Sequence, residues 1–231
     1  MRVTGVDACR GGWVAVSLDG PDEAEGVDGL GLFRVETVRA HETLAGVLDG
    51  HGSSVVGIDM PLGLLGSGWR EADRTARGLL GPRRSSVFAI PPRAVWDQAS
   101  YQAASQRCRE LTGQGLSIQA WGLRARLLEA DRFRGSCGFP LYEVHPELAF
   151  CVLAGAPLAH SKHTAAGRER RRELLSRAGI ALPLVPRAPV TDTMDAAAVA
   201  CSAWRIATGR AVVIPARPQR DDRGLPIAIR Y

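Results

Sequence analysis

Short apolar runs broken by turn residues fill the first quarter of the chain, and longer helical patterns fill the rest. The chain is apolar from Val3 to Val6, meets Asp7, turns through Arg10, Gly11 and Gly12, and becomes apolar again over residues 13–18; a third run covers residues 32–38. Connections this short predict an antiparallel meander. Residues 19–31, rich in Gly, Asp and Glu, read as an exposed loop. Residues 42–48 predict a short helix with Leu44, Val47 and Leu48 inward, stopped by Asp49, Gly50 and Gly52. Val55, Val56, Gly57 and Ile58 are apolar on both faces, as in a central strand covered by helices, and Asp59 follows directly.

Beyond Pro61 the pattern turns polar and helical, which predicts a single α/β domain over 1–231 with a helical insertion at about 61–138. A helix over 69–80 would carry Arg70, Arg74 and Arg77 on one face. A proline-stiffened loop then presents Arg83, Arg84, Ser85, Ser86 and Arg93, and helices are expected over about 95–111 and 117–133. The main fold resumes with a strand over 139–144 that contains Glu143. His145 and Pro146 suit the N-cap and first position of a helix over 147–153, closed by Gly155. A basic helix over 168–178 places Arg168, Arg170, Arg171, Arg172 and Arg177 on its polar side. The last helix, 192–208, is alanine-rich, and its small residues suit close packing on a sheet. Asp192 reads as its N-cap and Asp195 as N3. Residues 212–214 suggest a short strand, and the Arg- and Pro-rich tail from 215 carries little signal.

Composition narrows the class. The 231 residues are 45% hydrophobic and 23% charged, ordinary globular values. No apolar run approaches the roughly 20 residues of a membrane span, and the N-terminus lacks a signal-peptide core, so a cytoplasmic protein is expected. Five scattered cysteines without a C-x-x-C pair argue against a zinc knuckle or a disulfide framework. The net charge of +5 suits an acidic partner such as nucleic acid. Lys162 is the only lysine among 29 basic residues, a bias that fits a GC-rich genome.

Four acids stand out: Asp7 and Asp59 at strand ends, Glu143 within a strand and Asp195 in the first turn of the last helix. If strands one and four lie side by side, these acids converge. Several carboxylates cannot share a small space as bare anions, and Mg²⁺ or Mn²⁺ with oxygen ligands resolves the repulsion. Two ions about 3.5 to 4 Å apart would activate water and stabilise the leaving oxygen of a phosphodiester. Each acid also has a structural explanation, as a turn residue, an ion-pair partner or a cap; four coincident placements favour chemistry.

The strings GVDACRGGWVAV, IDMPLGL, RRSSVFAIPPR, YEVHPELAF, SKHTAAGRERRRELL and DAAAVACSAW together resemble the bacterial and archaeal family known as domain of unknown function 429, regarded as ribonuclease-H-like nucleases. TDTMDAAAVACSAW is also similar to the final acidic helix of RuvC-type Holliday-junction resolvases. The resemblance implies a mixed five-stranded sheet, its first three strands antiparallel, flanked by helices, with metal-binding catalytic acids at Asp7, Asp59, Glu143 and Asp195. Asp7 would bridge two Mg²⁺ ions, and Asp59 and Asp195 would each complete one. Arg10, Arg83, Arg84, Ser85, Ser86, Arg93, His145 and Lys162 are the candidate phosphate contacts. Two alternatives remain open. A binding protein on the same fold would not need the full acid set, and an actin-like ATPase or kinase would carry a Gly and a Ser or Thr soon after Asp7, where this chain has Ala8, Cys9 and Arg10.

Overall fold

A computed structural model describes residues 1–21, 32–49, 52–135 and 140–231. The chain divides into two compact units: Met1–Asp59, Gly138–Val212 and Arg230–Tyr231 form the first, and Met60–Cys137 with Val213–Ile229 form the second.

The first unit is built on five strands, β1 (Arg2–Cys9), β2 (Gly12–Asp19), β3 (Arg34–His41), β4 (Val55–Asp59) and β5 (Leu141–Glu143), in the order β3-β2-β1-β4-β5. β1, β2 and β3 pair antiparallel, while β4 and β5 run parallel to β1. This is the mixed five-stranded sheet, its first three strands antiparallel, that the resemblance implies. The first hairpin is tight because Cys9 pairs with Gly12 across only Arg10 and Gly11, and Gly11 supplies the positive φ of 86° that the turn needs. The third strand begins two residues later than its apolar run suggests and extends three further, to His41. The fifth is shorter than expected, and Phe139, at its predicted start, lies outside the described residues.

Helices α1 (Leu44–Leu48), α7 (Pro146–Ala154), α8 (Ala165–Arg177) and α9 (Val190–Ala207) complete this unit. His145 and Gly155 bound α7 as their sequence positions suggest. α9 packs on β1, β2 and β4. Every residue from Thr193 to Trp204 is buried, so it is a core helix rather than one with a single buried stripe. Its start corrects the expected capping: Pro189 is the N-cap, which moves Asp192 from the cap into the first turn and Asp195 a turn deeper. α8 is corrected too. Thr164 caps it through its hydroxyl, and Arg171 leaves the polar face to be wholly buried, its Nη2 2.5 Å from Glu147 Oε1 on α7 and its guanidinium over the Phe150 ring. The exposed arginines pair locally, Arg170 with Glu173 and Arg172 with Glu169, and Arg168 bonds the His163 carbonyl. They form a solvated surface.

The second unit holds α2 (Glu71–Leu80), α3 (Arg93–Trp96), α4 (Tyr101–Thr112), α5 (Ile118–Gly122), α6 (Arg124–Phe133) and a hairpin of β6 (Val213–Arg220) and β7 (Pro226–Arg230), whose last residue belongs to the first unit. The expected helix over 95–111 is broken because the Ser100 hydroxyl caps a new start. The hairpin is the element that the proline-rich tail conceals. No helix among the described residues is long and apolar enough to cross a membrane.

Candidate active site

Both central strands carry the same short pattern, Gly-apolar-Asp: Gly5-Val6-Asp7 on β1 and Gly57-Ile58-Asp59 on β4. The parallel register aligns them, Gly5 with Gly57 and Asp7 with Asp59. Side chains alternate along a strand, so each acid projects to the same face as its glycine. That face receives α9. A Cβ on Gly5 would lie 2.1 Å from the Ala196 carbonyl and 2.2 Å from the Ala200 nitrogen, and one on Gly57 would press on Val199. The two glycines and the alanines of α9 therefore let helix and sheet approach closely, which brings Asp195 to the two strand-end acids.

Asp7 is 6% exposed and Asp195 2%, while Asp59 keeps an edge toward solvent. Burial, then the negative charges of Asp59 and Asp195, hold the Asp7 carboxyl well above its ordinary range, with Lys162 acting against them. Burial pushes Asp59 up to about 7; Lys162 pulls it down, Glu143 pushes it up and a hydrogen bond with Asp7 tempers the rise. Burial raises Asp195 to about 6 despite the adjacent Lys162. Asp192, which accepts a hydrogen bond from Thr191, is raised by burial and opposed by Lys162. Near neutral pH the cluster thus retains protons that isolated carboxylates would have lost.

Lys162 supplies the opposing charge. Its ammonium donates a short hydrogen bond to Asp195 Oδ2. Burial by itself would lower the pKa of this lysine, but Asp195, with Asp7 and Asp59, reverses the effect and raises it. The chain just before it is held by two hydrogen bonds. Arg171 Nη1 bonds the His160 carbonyl, and the Thr164 hydroxyl bonds the Ser161 carbonyl. Gly167 is needed there, since its Cβ would lie 1.9 Å from that same Ser161 oxygen.

The expected residues separate into groups. Asp7, Asp59 and Asp195 come together. Glu143 pairs in register with Ile58, so the pleat turns it to the face opposite Asp59, although its charge still reaches that acid. His145 follows as the backbone N-cap of α7. Arg10 stands exposed at the tip of the first hairpin, with no hydrogen bond or ion pair among the described residues, on a groove of about 730 Å³ also lined by Gly12, His41, Arg187 and Pro189. Arg83, Arg84, Ser85 and Ser86 lie in the second unit on a 3-10 turn, Gly81–Ser86. Arg93, in the same unit, is already engaged with Asp131 at 2.9 Å and Asp222 at 2.5 Å. Sequence reasoning assigned Asp192 to a cap and did not find the two glycines; the repeated Gly-apolar-Asp was their signal.

The donor set is all oxygen, buried and crowded with like charge, which suits a hard divalent cation. As placed, no group of three His, Cys, Asp or Glu side chains among the described residues stands ready to hold one. Lys162 satisfies Asp195 instead.

A mixed five-stranded sheet flanked by helices, with acids gathered at the ends of its two central strands, defines an α/β protein. Residues 5–220 match the family described as "Protein of unknown function (DUF429)", and the chain belongs to that family. Among solved structures it is similar to Thermus thermophilus RuvC, with 15% identity and a TM-score of 0.43 over 91% of this chain and 98% of that one. It is also similar to T. thermophilus RuvC in complex with Holliday junction substrate, with 17% identity and a TM-score of 0.41 over 91% and 97%. No curated protein matches the chain.

Proposed function

We propose that the protein is a divalent-metal-dependent nuclease that hydrolyses phosphodiester bonds in DNA or RNA. The observation that carries this reading is the convergence of Asp7, Asp59 and Asp195 from three separate elements, two of them buried and the third half-buried, at a cost in charge repulsion. Packing α9 on the sheet does not call for three carboxylates near the ends of its central strands, whereas a metal-dependent phosphodiester hydrolysis uses such a set.

Asp7, Asp59 and Asp195 would hold Mg²⁺ or Mn²⁺, with Asp192 and Glu143 adding negative charge behind them. When bound, such ions make a water nucleophilic at neutral pH and stabilise the leaving oxygen. Asp59, which keeps an edge toward solvent, would meet the ion on the side open to water. Arg10 and the groove beside it would receive a backbone phosphate of the substrate strand. The Lys162–Asp195 pair favours a second reading, a nucleic-acid-binding protein without turnover, because it occupies one of the acids that chemistry requires.

Purified protein incubated with single strands, duplexes, hybrids and branched junctions in Mg²⁺ or Mn²⁺ separates the two. Metal-dependent cleavage of any substrate supports the nuclease. Salt-sensitive binding with no cleavage in either metal supports the binding protein.

A further inference from the structure

We infer that Lys162 is the resident cation of the acid centre, bound where a divalent ion must enter, so that it sets the concentration at which the site loads metal. The inference rests on the nuclease reading for its purpose but on the geometry for its content.

The Lys162 ammonium does not lie on the surface with a loose partner. It donates to Asp195, whose side chain is 2% exposed, and its own side chain is 29% exposed. Its charge acts on Asp7, Asp59 and Asp192 as well. One cation is thus shared by four carboxylates on three elements. The loop cannot carry it away easily, because Arg171 and Thr164 tie the carbonyls of His160 and Ser161 on its near side. Arg171 is in turn locked to Glu147 in the core. An exposed lysine would lose most of its influence to solvent; a fixed, mostly buried one does not.

This arrangement has two consequences. In the absence of metal, Lys162 places a positive charge among the acids by pairing with Asp195. A divalent ion arriving at Asp7 and Asp195 must displace the ammonium from its acceptor, and it also feels the repulsion of a like charge in a poorly screened site. Lys162 therefore opposes metal binding, although it stabilises the empty centre. A lysine that served only to pack its loop would stabilise the protein and leave metal affinity unchanged.

The two roles are separated by titrating the metal-free, full-length protein with Mn²⁺, reading affinity by calorimetry and by the spin-resonance signal of the free ion. Lys162→Met keeps the aliphatic stem and removes the charge. It should bind Mn²⁺ at least about tenfold more tightly than the unaltered protein, while melting at a lower temperature in chelator and recovering that loss when Mn²⁺ is added. Lys162→Arg should stay close to the unaltered affinity. If Lys162→Met does not fold, Lys162→Gln, which retains a hydrogen-bond donor for Asp195, is measured in its place. Equal or weaker Mn²⁺ binding by the folded charge-removal variant overturns the inference, as does an absence of Mn²⁺ binding in both proteins. The outcome is independent of cleavage. Tighter binding by the variant with no cleavage of any nucleic acid ends the nuclease reading and leaves the role of Lys162 standing. Cleavage by the unaltered protein, with affinity indifferent to the substitution, does the reverse.

Discussion

Replacing Asp59 by Asn should make the protein more stable at alkaline pH and no more stable in acid. The folded protein holds the Asp59 proton up to a pH of about 7, against an ordinary carboxyl value of 3.8, so the native state binds this proton more tightly than the unfolded chain. Stability therefore falls as pH rises from about 4 to about 7 and stays low above that. At about 1.4 kcal/mol per pH unit across this window, the full penalty is about 4 kcal/mol. Asp59 keeps a solvent edge and Lys162 offsets part of the repulsion, so about half of it, about 2 kcal/mol, is the expected gain for Asp59→Asn at pH 8. At pH 4, where Asp59 is largely protonated, Asn is a near-isosteric replacement and the two proteins should match. Urea unfolding at pH 4, 6 and 8 in chelator measures the difference. A constant difference across that range, or a variant less stable at pH 8, would refute the charge-crowded description of this cluster.

Three other substitutions probe the supports of the site. Gly5→Ala places a methyl group 2.1 Å from the Ala196 carbonyl and must push α9 away from β1; a loss of about 3 kcal/mol or more is expected by urea unfolding, together with weaker Mn²⁺ binding. Glu147→Gln leaves the buried Arg171 charge without its partner at 2.5 Å. A loss of about 3 to 5 kcal/mol in chemical denaturation is expected, with looser placement of the Lys162 loop visible as faster amide exchange over residues 160–164. Arg10→Ala should leave stability unchanged and reduce the slope of log affinity against log salt for duplex DNA by about 1, measured by fluorescence anisotropy in chelator; an unchanged slope would remove Arg10 from the substrate path.

The sheet was legible because its strands follow simple rules. Val55, Val56, Gly57 and Ile58 are apolar on both faces, as suits a central strand covered by helices. The convergence of Asp7 and Asp59 follows from strand adjacency alone. The start of α9 was misplaced because Pro189 caps it by backbone conformation, whereas Asp192 has the side chain that usually does so. Arg171 was misread for a similar reason: its partner Glu147 lies 24 residues away on another helix, and a helical pattern is silent about that distance. Lys162 was read as a phosphate contact, because its Ser-Lys-His loop gives no sign of Asp195, the acid that it meets 33 residues away. The β6–β7 hairpin runs through Pro215 and Pro218, whose strand signal is weak.

Asp7 is proposed to organise a metal-dependent hydrolytic site. Asp7→Asn removes a carboxylate from the middle of the cluster while retaining its size and buried position. Cleavage of a labelled nucleic-acid panel in 10-fold dilutions of Mn²⁺, by the unaltered protein and by this variant, tests the claim most directly. The expected result is Mn²⁺-dependent cleavage by the unaltered protein and none by a variant that folds normally. Equal cleavage by both proteins would contradict it.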